Sequence, residues 1–451
     1  MKRIGRKEPL LLLLGDFVFF GLSLWLSLAL RNLSLPGEEY FFTHFAPFLI
    51  LFIVWVAVFY ISGLYEKHTT ILKSRLPAKI FNTQLVNSGL AVAFFYLIPY
   101  FGITPKTILF IDLVISFILI FIWRRYIYLW LSQSKPNNAI LIGAGEEMRT
   151  LLAEVNSNPI YNIRFVSSVD LDRADGEIMW GEMVEKVYEE DVSVIAIDLS
   201  HAKVVPVLPH LYNLIFSRVN FIDLHKIYED IFDRVPFSLL RYDWFLENIS
   251  TRPRGAYDAF KRLMDIIISI PLLVIPLLTY PFAAIAMKLE DGGQTFIIQD
   301  RIGRNNKLVK IVKFRSMTKN DQGEYGTEGV TELKVTKVGK FLRKTRLDEF
   351  PQLWNVLKGD ISLIGPRPEL PALVKNYTEE IPYYNVRHLI KPGLSGWAQI
   401  YHVEHPHHGL DTLETKNKLS YDLFYIKNRS FLLDLKIAMR TIRTLLSREG
   451  V

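Results

Sequence analysis

Apolar residues run almost without interruption through four stretches of the first 131 positions: residues 10–30, 45–65, 81–101 and 107–131. A helix needs about 20 residues to cross a bilayer core, so the pattern predicts a four-helix transmembrane bundle over residues 1–131. Asp16 and Asp112 interrupt the first and fourth stretches. A carboxylate at that depth is expected to face a neighbouring helix rather than lipid. A signal peptide could account for the first stretch alone, but no small-residue cleavage site follows it and three more stretches do. Lys2, Arg3, Arg6 and Lys7 precede the first stretch, Lys67, Lys73, Arg75 and Lys79 separate the second from the third, and Arg124 and Arg125 close the fourth. Glu38 and Glu39 lie between the first and second. Loops rich in Lys and Arg stay in the cytoplasm, which places both ends of the bundle on that side.

The texture changes after a polar linker at 132–138. A short apolar run at 139–142 leads into Gly143-Ala144-Gly145 and a helical stretch at 146–155, and residues 164–169 and 192–199 read as further buried strands. Strands alternating with helices predict a parallel, Rossmann-like α/β domain over 139–250. Its first turn has the start of a dinucleotide-binding fingerprint, but Met148 stands where the third glycine belongs. No nicotinamide cofactor is expected there. A fifth apolar stretch, 263–287, is long enough to span, yet it contains Pro271, Pro276 and Pro281 and has basic residues on both flanks. Proline lacks an N–H and breaks helices, and a true span would carry the second basic cluster outside. A re-entrant helix that returns to the face it entered satisfies both observations.

Composition narrows the chemistry. The chain has 451 residues, 50 % of them hydrophobic, with 53 Lys and Arg against 46 Asp and Glu. That length suggests about three units. Cysteine is absent, which excludes disulfides, thiol nucleophiles, iron–sulfur clusters and Cys-type zinc sites. The basic excess sits in residues 288–451, with 27 Lys and Arg against 19 Asp and Glu. By itself it fits nucleic acid, anionic lipid or a phosphorylated substrate. Amid these cations stands Asp348-Glu349, followed by Pro351. Proline favours the first turn of a helix, so the carboxylates are expected near a helix N-terminus, where phosphate is also attracted. Acidic capping beside a solvated basic face is the plainer alternative.

Further motifs identify the region. Lys261-Arg262-x-x-Asp265, Gln299-x-Arg301-x-Gly303, Lys313-Phe314-Arg315-Ser316-Met317 and Leu347-Asp348-Glu349 precede Lys358-Gly359-Asp360 and Gly365-Pro366-Arg367-Pro368. Lys391-Pro392-Gly393-Leu394-Ser395-Gly396-Trp397-Ala398-Gln399 and Tyr421-Asp422-x-x-Tyr425 complete the series. Residues 256–451 thus resemble the bacterial sugar transferase family of monotopic phosphoglycosyl transferases, and the four spans with a Rossmann-like domain resemble its long-form members. The resemblance implies a small α/β catalytic domain. It implies transfer of sugar-1-phosphate from a nucleoside diphosphate sugar, such as a UDP-sugar, to undecaprenyl phosphate at the cytoplasmic face of the bacterial inner membrane. That is the first membrane step of exopolysaccharide or O-antigen synthesis.

It further implies a covalent phosphosugar on Asp348, with Glu349 beside it, Mg2+ held by the two carboxylates, and a homodimer rather than a nucleic-acid complex. Arg343, Lys313, Arg315 and Arg367 are the expected phosphate contacts, and Arg301, Asp360 and Asp422 match family positions that serve substrate or structure. Two departures stand out. Tyr280-Pro281 replaces the family's Ser-Pro break, making Pro281 the expected membrane hinge. Residues 402–408, with His402, His405, His407 and His408, replace an Asn-Gly-Arg stretch; a polar loop near the sugar is expected, with metal binding as the alternative. A membrane-tethered, NAD-dependent nucleotide-sugar dehydratase is the rival enzyme, through Tyr257-x-x-x-Lys261. A non-catalytic scaffold is the rival from another class.

Overall fold

The computed structural model describes residues 7–65, 76–97, 106–127, 137–158, 161, 163–172, 178–217, 219–250, 252, 254–318, 333–401 and 412–447. The chain divides into two compact units between Asp230 and Ile231.

The first unit begins with α1 (Lys7–Asn32), α2 (Glu38–Ile61), α3 (Leu76–Leu97) and α4 (Lys106–Ile122). Among the described residues, three helical segments are long and apolar enough to cross a membrane: Leu10–Asn32, Glu38–Ile61 and Thr107–Ile127. α3 offers only Ile80–Phe95 as an apolar stretch, although Ile80 and Ala91 share a core with Phe20, Trp55 and Ile108. The expected inward carboxylates are found. Asp16 is fully buried in an ion pair with Arg124 and accepts the Tyr65 hydroxyl at 2.5 Å. Asp112 is fully buried and accepts the Ser23 hydroxyl. Arg124, one of the two cations that close the fourth stretch, is the buried partner of Asp16. Lys2, Arg3, Arg6, Lys67, Lys73 and Arg75 lie outside the described residues.

β1 (Asn137–Gly143), α5 (Gly145–Ser157), β2 (Ile163–Asp170), α6 (Ile178–Glu189), β3 (Val194–Ile197), α7 (Leu208–Asn213), β4 (Asn220–Asp223) and α8 (Leu224–Phe232) follow. The strands form one parallel sheet in the order β2-β1-β3-β4. Ile140, Ile142, Ile195 and Ile197 build its core, as expected for strands covered on both faces. Met148 is buried against the Gly143 turn. Glu146 and Glu147 occupy the first turn of α5, where they oppose the anion that a helix N-terminus would otherwise attract.

The second unit comprises α9 (Tyr242–Asn248), α10 (Gly255–Leu272), α11 (Val274–Glu290), β5 (Phe296–Ile302), β6 (Leu308–Phe314), α12 (Lys337–Lys344), α13 (Leu353–Lys358), β7 (Ser362–Ile364), α14 (Pro371–Glu380), β8 (Gly393–Ser395), α15 (Trp397–Tyr401), α16 (Thr412–Asn428) and α17 (Phe431–Ser447). β5 and β6 pair antiparallel and β7 and β8 parallel. Val235, Leu240 and Trp244 are buried with Val374, Tyr377 and Leu423. That packing corrects the boundary drawn at 250: residues 231–250 belong with the second unit because their apolar side chains find their partners on α14 and α16.

α10 and α11 form one apolar pair bent by 42°. The break falls at Leu273, not at Pro281, which lies inside α11. Pro276 has no N–H to return to Leu272 and its ring crowds that carbonyl, so one helix ends and the next restarts in its first turn. Both ends of the pair pack on the same body. Arg262 donates to the Val356 and Leu357 carbonyls at 2.6 and 2.5 Å, and Asp265 accepts from the Ser362 hydroxyl and the Leu363 N–H at 3.0 Å. At the other end, Ala283 and Met287 pack with Phe314 and Leu342, and Glu290 accepts the Lys337 N–H at 2.6 Å. Between them Ile267, Ile270, Val274, Leu277 and Leu278 are exposed.

Candidate active site

The acidic pair is presented by a short 3-10 turn, Leu347–Gln352, that joins α12 to α13. Arg346 makes the corner with a left-handed φ of 59°, and Pro351 lies within the turn, so Asp348 and Glu349 fall in its first turn as expected. Leu347 packs against the Ala283, Met287 and Phe314 cluster. This contact fixes the pair beside the C-terminal half of the bent helices.

Glu349 and its cations form a pocket lined by Arg301, Lys313, Glu349, Gln352, Arg367 and Leu394. Glu349 Oε1 accepts from Arg367 Nη2 at 2.9 Å and lies 3.9 Å from Lys313 Nζ. Asp348 Oδ1 is buried without a hydrogen-bond partner. The two carboxylates differ electrostatically. Burial would raise Glu349, but Arg367, Lys313 and Arg346 outweigh it and hold the group down at about 2. Burial and the neighbouring Glu349 charge push Asp348 up to about 6, against Lys313, Arg343 and Arg346. Burial also lowers Lys313 to about 8 despite Glu349. One carboxylate is firmly ionised and fastened; the other has an open oxygen and a pKa close to neutrality, which suits a nucleophile.

The residues expected at the site separate in the fold. Arg301, Lys313, Glu349 and Arg367 line one pocket. Arg343 donates from Nε to the Ser316 hydroxyl at 3.1 Å, and its charge bears on Asp348. Arg315 is not available to phosphate. It is buried and donates from Nε to the Gln294 carbonyl, from Nη1 to Asp291 and the Met317 carbonyl, and from Nη2 to Asp291, all at 2.6 to 2.7 Å. Four of its five N–H groups are thereby spent. Asp360 accepts from Asn355 Nδ2 at 3.1 Å and lies 3.6 Å from Lys358, where α13 ends, and does not line the pocket. Asp422 is buried 2.8 Å from Arg387 Nη2 and is a counter-ion rather than a substrate contact. Gln352, Arg346 and Arg387 were not singled out in the sequence; adjacency to the Asp-Glu pair could have flagged the first two. Residues 402–408 lie outside the described residues.

Tyr257 and Lys261 both donate to Asp434 Oδ2 at 2.9 Å, and Lys261 reaches the Tyr425 hydroxyl at 3.1 Å. They fasten α10 to α16 and α17 in the second unit, whereas the parallel sheet lies in the first. A divalent cation fits the acidic pair in one respect: Asp348 has an unpartnered buried oxygen. Among the described residues no three His, Asp or Glu side chains gather; the two adjacent carboxylates would leave most of a divalent cation's shell to substrate and water, as a Mg2+ site does.

The family model described as bacterial sugar transferase matches residues 256–448. The chain is 44 % identical over 207 residues to the UDP-N-acetylgalactosamine-undecaprenyl-phosphate N-acetylgalactosaminephosphotransferase of Aeromonas hydrophila, over 45 % of this chain and 47 % of that protein. It is 39 % identical over 191 residues to an uncharacterized sugar transferase of Bacillus subtilis, over 42 % of this chain and 89 % of the relative. It is 38 % identical over 202 residues to the UDP-glucose:undecaprenyl-phosphate glucose-1-phosphate transferase of Caulobacter vibrioides, over 44 % and 74 % respectively. The match therefore spans less than half of the Aeromonas protein's length.

Proposed function

The chain belongs to the bacterial sugar transferase family, and on that premise we propose that it moves a sugar-1-phosphate from a nucleoside diphosphate sugar to undecaprenyl phosphate. The observation that carries this reading is an unpartnered buried oxygen on Asp348, whose sequence neighbour Glu349 lines a pocket with Arg301, Lys313 and Arg367. Two relatives are named as acting on UDP-sugars, which makes a UDP-sugar the first donor to test.

In the first step an Asp348 carboxylate oxygen forms a bond to the sugar-bearing phosphorus, and the bond from that phosphorus to the bridging oxygen breaks. Nucleoside monophosphate leaves with the electron pair. In the second step a phosphate oxygen of the lipid attacks the same phosphorus and the Asp348–phosphorus bond breaks, restoring the carboxylate. Arg301, Lys313 and Arg367 offset the charge of the diphosphate, while Glu349 holds Lys313 and Arg367 at the pocket wall. Mg2+ held by Asp348 and Glu349 would neutralise phosphate charge as a Lewis acid. Release of nucleoside monophosphate from a nucleotide sugar by membranes bearing the full chain tests the reading; no release from any nucleotide sugar would overturn it.

Two expectations follow for pH. Transfer rises as pH passes about 6, where Asp348 loses its proton and becomes a nucleophile, and falls above about 8, where Lys313 loses the charge that faces the diphosphate. Lys313→Arg keeps its proton throughout, so it should retain the acid limb and lose the alkaline one. An alkaline fall that persists in this variant would assign it to another group.

The bent pair α10–α11 supports re-entry from the cytoplasmic face, since both of its ends fasten to one body and basic residues flank it on both sides. The chain has no cysteine, so Lys288→Cys is a unique thiol. It should resist an impermeant thiol reagent added outside spheroplasts, and labelling from outside would exclude re-entry. Pro276→Leu, which restores an N–H near the break, should lower transfer about tenfold or more, whereas Pro281→Leu should stay near wild type.

A further inference from the structure

We infer that Arg387 is a positioning residue that holds the backbone of Arg367, and so sets where the Arg367 guanidinium meets Glu349 and the donor diphosphate. The inference rests on the transfer reading above. The segment Gly365-Pro366-Arg367-Pro368-Glu369 contributes Arg367 and Pro368 to the pocket wall. Every residue of it is tied. The Gly365 N–H donates to the Ser395 carbonyl at 2.8 Å, and the Gly393 N–H donates to the Pro366 carbonyl at 2.9 Å. Arg387 Nη2 donates to the Arg367 carbonyl at 3.1 Å, Arg301 Nη1 to the Pro368 carbonyl at 3.4 Å, and the Ile302 N–H to the Glu369 carbonyl at 3.0 Å. Prolines on both sides of Arg367 fix their own φ and supply no N–H, so the direction of the strap is set largely by what grips its carbonyls.

Arg387 is the grip on the residue that matters. Its guanidinium is buried, lies 2.8 Å from Asp422 and 3.7 Å from Glu369, and donates to the Tyr384 hydroxyl at 2.7 Å. Arg367 therefore has its backbone tied inward to Arg387 and its side chain turned outward to Glu349 at 2.9 Å. Buried ion pairs seldom stabilise a fold more than apolar side chains of the same size would. A planar fork that reaches a carbonyl and two carboxylates at once does supply a fixed direction. Asp422 and Glu369 are, on this account, the counter-ions that keep the fork charged and in place.

The test compares wild type, Arg387→Met, Arg387→Lys and the double variant Arg387→Met/Asp422→Leu, in the full chain, by single-turnover release of nucleoside monophosphate and by the donor KM. Misplacing a contact by about 1 Å costs up to a hundredfold. The expected result is a donor KM raised about tenfold and a single-turnover rate lowered by about ten- to a hundredfold, with the final amount released per enzyme unchanged. Lysine should not rescue, because it cannot fork. The double variant should fold with a Tm near wild type and still show both defects. A role in folding alone would lower the amount released and leave KM untouched, and that outcome overturns the inference, as does a double variant that fails to fold. Wild-type kinetics in a folded variant would overturn it too. If the wild type itself releases no nucleotide, the transfer reading falls instead.

Discussion

Asp348→Asn is expected to abolish transfer, lowering release of nucleoside monophosphate by about a thousandfold or more, the usual scale for losing a covalent nucleophile. The substitution keeps the shape and removes the anion. Wild-type enzyme mixed with donor alone should release nucleotide once and retain a phosphosugar, with the mass of the sugar phosphate less water, on Asp348. The variant should show neither. Its fold should survive and even gain, because Asp348 has a buried oxygen with no partner and burial beside Glu349 already disfavours its charge. A Tm at or above wild type is therefore predicted alongside the loss of activity, the trade expected of a strained catalytic group. Glu349→Gln should also be severe, since it releases Arg367 and Lys313, but its residual adduct should still map to Asp348. Robust turnover by Asp348→Asn, or an adduct on another residue, would end the covalent-aspartate account and favour direct attack by the lipid phosphate.

Gly393→Ala should be strongly destabilising to the second unit. β7 and β8 approach so closely that a Cβ at position 393 would stand 2.1 Å from the Gly365 nitrogen and 2.5 Å from the Ile364 carbonyl carbon. Backbone atoms cannot swing aside as a side chain can. Gly365 and Gly396 complete the contact from the other sides, where a Cβ would meet backbone oxygens at 2.6 and 2.4 Å. An alanine must therefore prise the strands apart, and with them Leu394 and the strap that carries Arg367. The cost should be about 3 kcal/mol or more, read as a fall in Tm of roughly 6–12 °C, with transfer reduced along with it. Thermal unfolding in detergent and nucleotide release measure the two effects. An unchanged Tm would show that the strand pair opens without strain.

Much of the site was legible because it is written in adjacent residues. Asp348, Glu349 and Pro351 lie within one turn, so the first-turn placement of the carboxylates followed from proline's lack of an N–H. Lys313, Arg301 and Arg367 were supplied by the motifs that carry the family resemblance, not by the charge pattern. The same motifs did not separate a phosphate contact from a structural ion pair at Arg315, and left Asp422 open between substrate and structure. Both sit in cation- or carboxylate-bearing motifs like the true pocket residues, but Arg315 is claimed by Asp291, 24 positions earlier, and Asp422 by Arg387 across two helical segments.

By itself, then, the sequence determined the apolar helices that can enter a membrane, the alternating strands and helices of the middle region, a proline-broken apolar pair, and the acidic couple among basic residues. Each follows from the periodicity of hydrophobic burial or from the backbone chemistry of proline and glycine, which act between near neighbours along the chain. The tertiary structure alone decided the rest. It moved the bend to Leu273 and assigned residues 231–250 to the second unit, and it paired Asp16 with Arg124 across 108 positions. It also chose which cations face the pocket and which are consumed as structural partners. A charged side chain has the same composition in either role. Its role is set by which opposite charge packing brings within about 4 Å and how much water is excluded there, and neither quantity exists until distant segments meet.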